Sequence, residues 1–277
     1  MAIKKPLVSV IITTKNEEGV IERLLRSVKG QNYRRIEVIV VDNNSTDKTR
    51  LLATKFTKFV YISGPERSAQ RNFGARKSKG KYLLFLDADM KLDKNVIKDC
   101  VLRVDSSSIG AVVIPERSIA NNLWEKVKAF ERSFYNETGD EVTDAARFYP
   151  RKVFFEVGGY DEGITGPEDW DLPERVSDKG YKVARARPVI YHYERIDSPL
   201  SLAKKKFYYG LRVHKYLAKH GKSAISPKTL YFLRPVFYKK WKILIKNPGL
   251  SFVMFAMLTL EQIAGGLGYI LGGLRHE

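Results

Sequence analysis

Four short runs of the chain, residues 7–13 (LVSVIIT), 36–41 (IEVIVV), 59–62 (FVYI) and 82–86 (YLLFL), are apolar almost without interruption. Hydrophobicity that is continuous rather than alternating marks strands covered on both faces, as in parallel sheets. Helical patterns separate the runs. Residues 17–29 place Val20, Ile21, Leu24, Leu25 and Val28 on one face, and 44–47 (NSTD) offers capping oxygens to a following helix. This rhythm predicts an α/β fold, a mainly parallel central sheet flanked by helices. Ligands of such sheets bind outside the carboxyl ends of the strands. Polar residues directly after each apolar run are therefore the candidates for chemistry.

Those positions carry Thr13-Thr14-Lys15-Asn16-Glu17, then Asp42-Asn43-Asn44, then Asp87-Ala88-Asp89. Asp42 and Asn44, taken singly, read equally well as ordinary turn residues. Asp87 and Asp89 differ, because two carboxylates at a buried strand end repel each other and call for a cation. Hard oxygen ligands suit magnesium or manganese, and such an ion can also neutralise a diphosphate. Arg67 and Arg71 lie one helical turn apart and can grip phosphate together, the alternative being a solvated helix face. Their position between the Asp42 and Asp89 strand ends favours the phosphate role.

VSVIITTKNE, VIVVDNNSTDKT, AQRNFGA, LLFLDADM, FFEVGGYDE and GPEDWDL, in this order, resemble a family 2 glycosyltransferase with the GT-A fold over residues 7–195. Within that family the chain is similar to membrane-associated enzymes that serve dolichyl-phosphate sugars or lipid-linked glycans. The resemblance implies inverting transfer of a sugar from a nucleoside diphosphate sugar to an acceptor hydroxyl or phosphate, with a divalent metal. It also implies roles: Thr14, Lys15 and Glu17 in the nucleoside loop, Asp42 reading the base, Arg71 beside the phosphates and Asp87 near ribose and metal. Asp89 falls on the direct metal ligand, and Asp169 on the catalytic base that takes the acceptor proton as the oxygen attacks the anomeric carbon. For Asp171 a first-turn helix role is expected. His192, in VIYHYER, is expected as a further metal ligand. Where processive members carry Q-x-x-R-W, this chain has Leu172-Pro-Glu-Arg175-Val176, which argues against long-polymer synthesis.

Charge adds a second region. The net charge is +18, yet residues 199–277 hold 14 Lys and Arg against only Glu261 and Glu277. Aromatic residues interleave with these cations and an apolar stretch follows, a combination that suits an anionic membrane surface better than nucleic acid. The expected organisation is a catalytic domain over 1–198 and a basic, amphipathic, helical membrane-associating segment over 199–277. In the first helix of that segment Leu200, Ala203, Phe207 and Leu211 share one face and Lys205, Arg212, Lys215 and Lys219 the other. From 250 to 274 only Glu261 is charged; Glu261 and Gln262 split the run, so a shallowly inserted helix pair is expected, with a single span or a homodimer through the glycines as alternatives. The N-terminal apolar run is too short for a leader, which predicts a catalytic part on the cytoplasmic face of the cell membrane. A single cysteine, Cys100, excludes an intrachain disulfide and paired-thiolate zinc sites. GDP-mannose and UDP-hexoses are the expected donors and a lipid-linked glycan or lipid phosphate the expected acceptor. A nucleotide-sugar pyrophosphorylase is disfavoured because TTKNEE replaces its glycine-rich first loop, and a nucleic-acid-binding protein would not need Asp89 and Asp169.

Overall fold

The computed structural model describes residues 5–104, 108–136, 138–140 and 144–274. In chain order the elements begin β1 (Val8–Thr14), α1 (Ile21–Lys29), β2 (Ile36–Asp42), α2 (Thr49–Thr54), β3 (Val60–Ile62), α3 (Arg67–Lys77), β4 (Tyr82–Asp87) and β5 (Met90–Leu92). They continue with α4 (Val96–Arg103), β6 (Ile109–Val113), β7 (Glu116–Ile119), α5 (Leu123–Ser133), β8 (Ala146–Pro150), α6 (Arg151–Glu156), α7 (Glu168–Asp178), β9 (Lys182–Arg185) and β10 (Ile190–Tyr193). The C-terminal part is helical, with α8 (Pro199–Lys219), α9 (Pro235–Lys239), α10 (Trp241–Lys246) and α11 (Pro248–Leu274).

The chain forms two compact units. The first comprises Met1–Glu116, Ala145–Glu162 and Asp169–His192; the second comprises Arg117–Asp144, Gly163–Glu168 and Tyr193–Glu277. The expected boundary at 198 thus differs from the observed division, in which two earlier segments join the C-terminal helices.

In the first unit a seven-stranded sheet has the order β3-β2-β1-β4-β8-β6-β9. The four strands legible as apolar runs are mutually parallel, while β8 runs antiparallel to both β4 and β6. Period-two geometry sorts the side chains onto two faces. Val8, Val10, Ile12, Leu84 and Leu86 join Ile21, Leu24, Leu25 and Val28 of α1 and Val96, Ile97 and Cys100 of α4. On the opposite face Ile11, Leu83 and Phe85 meet Ala75 of α3, Phe154 of α6, and Leu172 and Val176 of α7. The chain leaves β1 toward β2 and returns on the other side as β4, so the strand order reverses between β1 and β4. Register sets Thr14 beside Asp42 and Thr13 beside Asp87 at that edge.

The second unit is built on helix packing. α5 starts with a reciprocal cap in which Asn122 Oδ1 accepts from the Glu125 N–H at 2.9 Å and the Glu125 carboxylate accepts from the Asn122 N–H at 3.3 Å. Ser198 caps α8 and proline follows as its first residue. Val127 of α5 and Phe134, which follows its last residue, share a core with Phe237 of α9 and Met254, Met257 and Leu258 of α11. α8 and α11 lie so close that a Cβ at Gly210, Gly268 or Gly272 would run into a backbone carbonyl of the facing helix.

Three expectations about the C-terminal segment change here. α11 is one continuous helix of 27 residues, not a pair broken at Glu261. The break is unnecessary because Glu261 is buried and bonded to Lys128 Nζ at 3.1 Å, which also pairs with Glu131 at 2.6 Å. Of the glycines offered by the sequence for a homodimer, Gly268 and Gly272 lie against α8 within the chain, whereas a Cβ at Gly266 or Gly273 would meet nothing within 4 Å. On α8 the buried positions are Ala203, Gly210, Tyr216 and Leu217, while Leu200 is exposed, so the packed face is rotated away from the one expected.

Candidate active site

The loops after β1 and β2 are stitched together by side chains. Asn16 and Glu17 donate their N–H groups to Ser45 Oγ (2.8 Å) and Thr49 Oγ1 (2.7 Å), and Thr46 N–H donates to Asn16 Oδ1 at 2.9 Å. These bonds hold residues 15–20 in a loop, so α1 begins at Ile21 rather than Glu17. Asp42 lies beneath, fully buried. Its carboxylate accepts from Thr14 Oγ1 at 2.8 Å, Ser45 N–H at 2.7 Å and Ser45 Oγ at 2.5 Å. With both oxygens bonded within the loop, Asp42 orders the cradle. Thr14 is likewise buried, Lys15 is exposed and Glu17 half-buried. Asp47, one of the expected capping residues, accepts from Thr49 N–H at 2.9 Å and so closes the start of α2.

Beyond β4 the charged residues form one continuous chain. Arg71, on α3 and only 1% exposed, donates from Nη1 to Asp169 Oδ1 at 2.7 Å and from Nη2 to Asp87 Oδ1 at 3.1 Å, with its guanidinium 4.9 Å from the Tyr160 ring centre. Arg147 of β8 reaches Asp87 Oδ2 at 3.3 Å and Glu116 Oε1 at 2.7 Å. Glu116 Oε2 lies 3.0 Å from His192 Nδ1, and His192 Nε2 lies 3.4 Å from Asp89 Oδ2. The last link depends on strand pairing, since β10 runs antiparallel to β5 with His192 opposite Met90, the neighbour of Asp89. Burial alone would raise the Asp87 carboxyl; the guanidiniums of Arg71 and Arg147 more than reverse this and hold it well below the usual carboxylate range.

Arg67 and Arg71 both lie on α3, where Arg71 bonds two carboxylates and Arg67 is half-buried near Asp87. Asp171 stands in the first turn of α7 as expected; it is fully buried and bonded by Arg175, which also donates to the carbonyls of Val157 and Gly159. Arg175 therefore locks α7 onto the 157–159 turn. Glu168 is buried and accepts from the Gly166 N–H.

Glu116 and Arg147 escaped the sequence reading. Neither lies in a recognisable motif, and only the antiparallel β8 and the start of β7 bring them between Asp87 and His192. Of the 163–168 loop the sequence singled out only 166–168: Arg212 of α8 donates to Thr165 Oγ1 at 2.9 Å, and Gly166, at φ +102°, leaves no room for a Cβ against Tyr209. This loop runs directly into Asp169.

A mixed α/β sheet with an aspartate pair and a separate carboxylate at its carboxyl edge defines a GT-A-type fold. Solved structures agree: a mannosyltransferase from Pyrobaculum calidifontis in complex with GDP-Man and Mn2+ superposes with a TM-score of 0.62 at 19% identity, covering 99% of this chain and 80% of that one. TarS residues 1–349 of Staphylococcus aureus in complex with UDP-GlcNAc gives 0.55 at 16% identity, covering 98% and 91%. Residues 9–159 match the profile described as glycosyl transferase family 2, and the chain belongs to that family. Among curated relatives, the poly(ribitol-phosphate) beta-N-acetylglucosaminyltransferase TarS of S. aureus is 28% identical over 49% of this chain and 24% of its own length. The beta-monoglucosyldiacylglycerol synthase of Nostoc sp. is 28% identical over 62% of this chain and 41% of its own. The glycosyltransferase AglE of Haloferax volcanii is 26% identical over 67% and 66%. The chain therefore spans between a quarter and two thirds of the length of these relatives.

Proposed function

We propose that the chain transfers a hexose, with inversion, from a nucleoside diphosphate sugar to a hydroxyl or phosphate of a lipid-linked acceptor at the cytoplasmic face of the cell membrane. The observation that carries this reading is the charged chain that ties Asp169 and Asp89 into one site at the carboxyl edge of the sheet. Asp169 is the general base. Arg71 holds its Oδ1, and among the described residues nothing bonds Oδ2, which is left to take the proton from the attacking acceptor oxygen. The buried guanidinium fixes the carboxylate in place before the acceptor arrives, so orientation costs little at the moment of attack. Thr14, Lys15 and Glu17, with the loop that Asp42 orders, cradle the nucleoside, while Arg67 and Asp87 border the diphosphate.

A divalent ion, manganese or magnesium, fits Asp89 and His192. Asp89 Oδ1 is buried without a hydrogen-bond partner, an arrangement that is costly unless a cation takes it up. Glu116 Oε2 lies 3.0 Å from His192 Nδ1, and a neutral imidazole that donates Nδ1–H to it would offer Nε2, 3.4 Å from Asp89 Oδ2, to the ion. Among the described residues no group of three His, Cys, Asp or Glu could hold a metal, so water and substrate phosphate would have to supply the rest of the ion's shell. When bound, the ion supplies charge neutralisation to the departing diphosphate.

The donors to test first are GDP-mannose and UDP-hexoses, named by the mannosyltransferase complex and by the TarS complex with UDP-GlcNAc. The lipid side of the reading is supported by the diacylglycerol-based product of the Nostoc relative and by α11, which is long and apolar enough to cross a membrane by length and composition. A thermal-shift screen of GDP, UDP and dTDP with and without manganese checks the donor site, since a ligand of the folded state raises its apparent stability. Transfer from the selected donor to a polyprenyl phosphate, with the product anomer read by NMR, checks the chemistry. A metal-dependent shift and an inverted anomer are expected; retention of configuration would remove Asp169 from its role.

A further inference from the structure

The exposed side of α11 is a single apolar stripe. Phe252, Leu260, Ile263, Leu267, Ile270 and Leu274 are all exposed and recur every three or four residues from Leu260 onward, along a helix face roughly 33 Å long at 1.5 Å per residue. The opposite side is closed by the second unit itself, where Met254, Met257 and Leu258 are in the core and Gly268 and Gly272 lie against α8.

Composition alone would let α11 span a bilayer, but its packing opposes that. Glu261 is the midpoint of Pro248–Leu274, and it is bonded to Lys128 and lies 3.7 Å from Lys206 of α8. The contacts of α8 with α11 advance together from Lys206 with Glu261 to Leu211 with Gly272, so the two helices run parallel and side by side. A transmembrane α11 would carry the exposed Lys204 and Lys205 to the bilayer centre along with this ion cluster, at about 2.5–3.5 kcal/mol per lysine on insertion scales. Lying in the plane of the interface removes that cost. The stripe then enters the acyl boundary while the lysines remain at the level of the headgroups.

The surrounding charge selects the occupant. Between Pro199 and Leu260 there are thirteen Lys and Arg and no acid. α10 presents exposed Trp241 and Ile245 among Lys242 and Lys246, and it is joined to the start of α11 by a 2.8 Å bond from Ser251 Oγ to the Leu244 carbonyl. An aromatic and aliphatic edge beside Lys242 and Lys246, in a segment whose cations far outnumber its acids, matches an anionic lipid surface; a second copy of the same surface would bring like charges together. We infer that α11 lies flat in the interface of an anionic bilayer, seated through its outer stripe with the Trp241 edge as a second anchor. This deepens the membrane-associated reading above and rests on it.

Depth measurements on the full chain test the inference. Cys100 is fully buried, and burial pushes its thiol up, so it stays silent to labelling and single cysteines can be added at Phe252, Ile263 and Leu274. In vesicles of phosphatidylcholine and phosphatidylglycerol, a bimane at each site should be quenched by shallow spin-labelled lipids and to the same depth. A probe at 263 much deeper than those at 252 and 274 would mean a span and overturn the proposal. Ile263→Lys, Leu267→Lys and Ile270→Lys together should lower vesicle partitioning about tenfold or more, with the nucleotide-dependent thermal shift unchanged. Undiminished partitioning of that variant overturns the seat, as does a full chain that ignores vesicles at low salt and sediments as a dimer. Loss of the nucleotide shift in the parent protein would instead strike at the transferase reading, so the two failures are distinguishable.

Discussion

Each compact unit buries a chain of alternating charges, and the two chains are finished differently. In the first unit the chain runs Asp169, Arg71, Asp87, Arg147, Glu116, His192, Asp89, and its terminal carboxylates retain 26% and 23% of their side-chain surface. In the second unit Lys128 joins Glu131 and Glu261, whose side chains keep only 4% and 6%. Burial is reserved for the middle of the first network and for the whole of the second. A buried, closed ion cluster fixes how helices meet. One whose ends are solvent-accessible, with an unbonded oxygen on Asp89, holds groups ready for something absent from the chain itself.

The sharpest break of this comparison is at Asp169. Asp169→Asn should lower transfer by roughly 10² to 10⁴ while donor affinity in calorimetry stays near that of the parent. Near-normal turnover with saturating acceptor would place the base elsewhere. In the closed network, Lys128→Met should cost about 3 kcal/mol in denaturant unfolding, because it leaves two acids buried with the more distant cations Arg234 and Lys206 and, on Glu131, the Tyr135 hydroxyl. Nucleotide binding should be untouched, and replacing Lys128, Glu131 and Glu261 together by apolar residues should recover most of the loss.

At the other end of the open network, Glu116→Gln should weaken manganese binding by about 10- to 100-fold, read by titration calorimetry without any turnover. An unchanged affinity would mean that Glu116 does not tune the ion site through His192. The smallest effect is expected with acid. Burial would raise Glu131, but Lys128 and Arg234 outweigh it and bring its carboxyl down to about 2 from an ordinary 4.5. A depressed acid contributes stability above its unfolded value and loses it as the pH falls toward the folded one. Between about pH 4.5 and 2 the helical unit should therefore lose stability, and Glu131→Gln should flatten that slope in a pH series of melting curves.

What the sequence determined by itself was local and periodic. Continuous apolar runs located β1, β2, β3 and β4 to within a residue or so, because a strand covered on both faces leaves no alternation to hide it. Their ends delivered Thr14, Asp42, Asp87 and Asp89, and motif order pointed to Asp169. What only the tertiary structure decided was which of these charges meet. That Thr14 and Ser45 enclose Asp42, and that α7 brings Asp169 to within 2.7 Å of Arg71, has no signature along the chain. Glu116 and Arg147 have no local signature at all: they matter because β8 and β7 cross from distant parts of the chain. The same holds for Glu261, which interrupts an apolar run in one dimension and is answered by Lys128, 133 residues away, in three. Pattern is set by neighbours along the chain, whereas the state of a buried charge is set by partners across it, and long-range pairing alone supplies those.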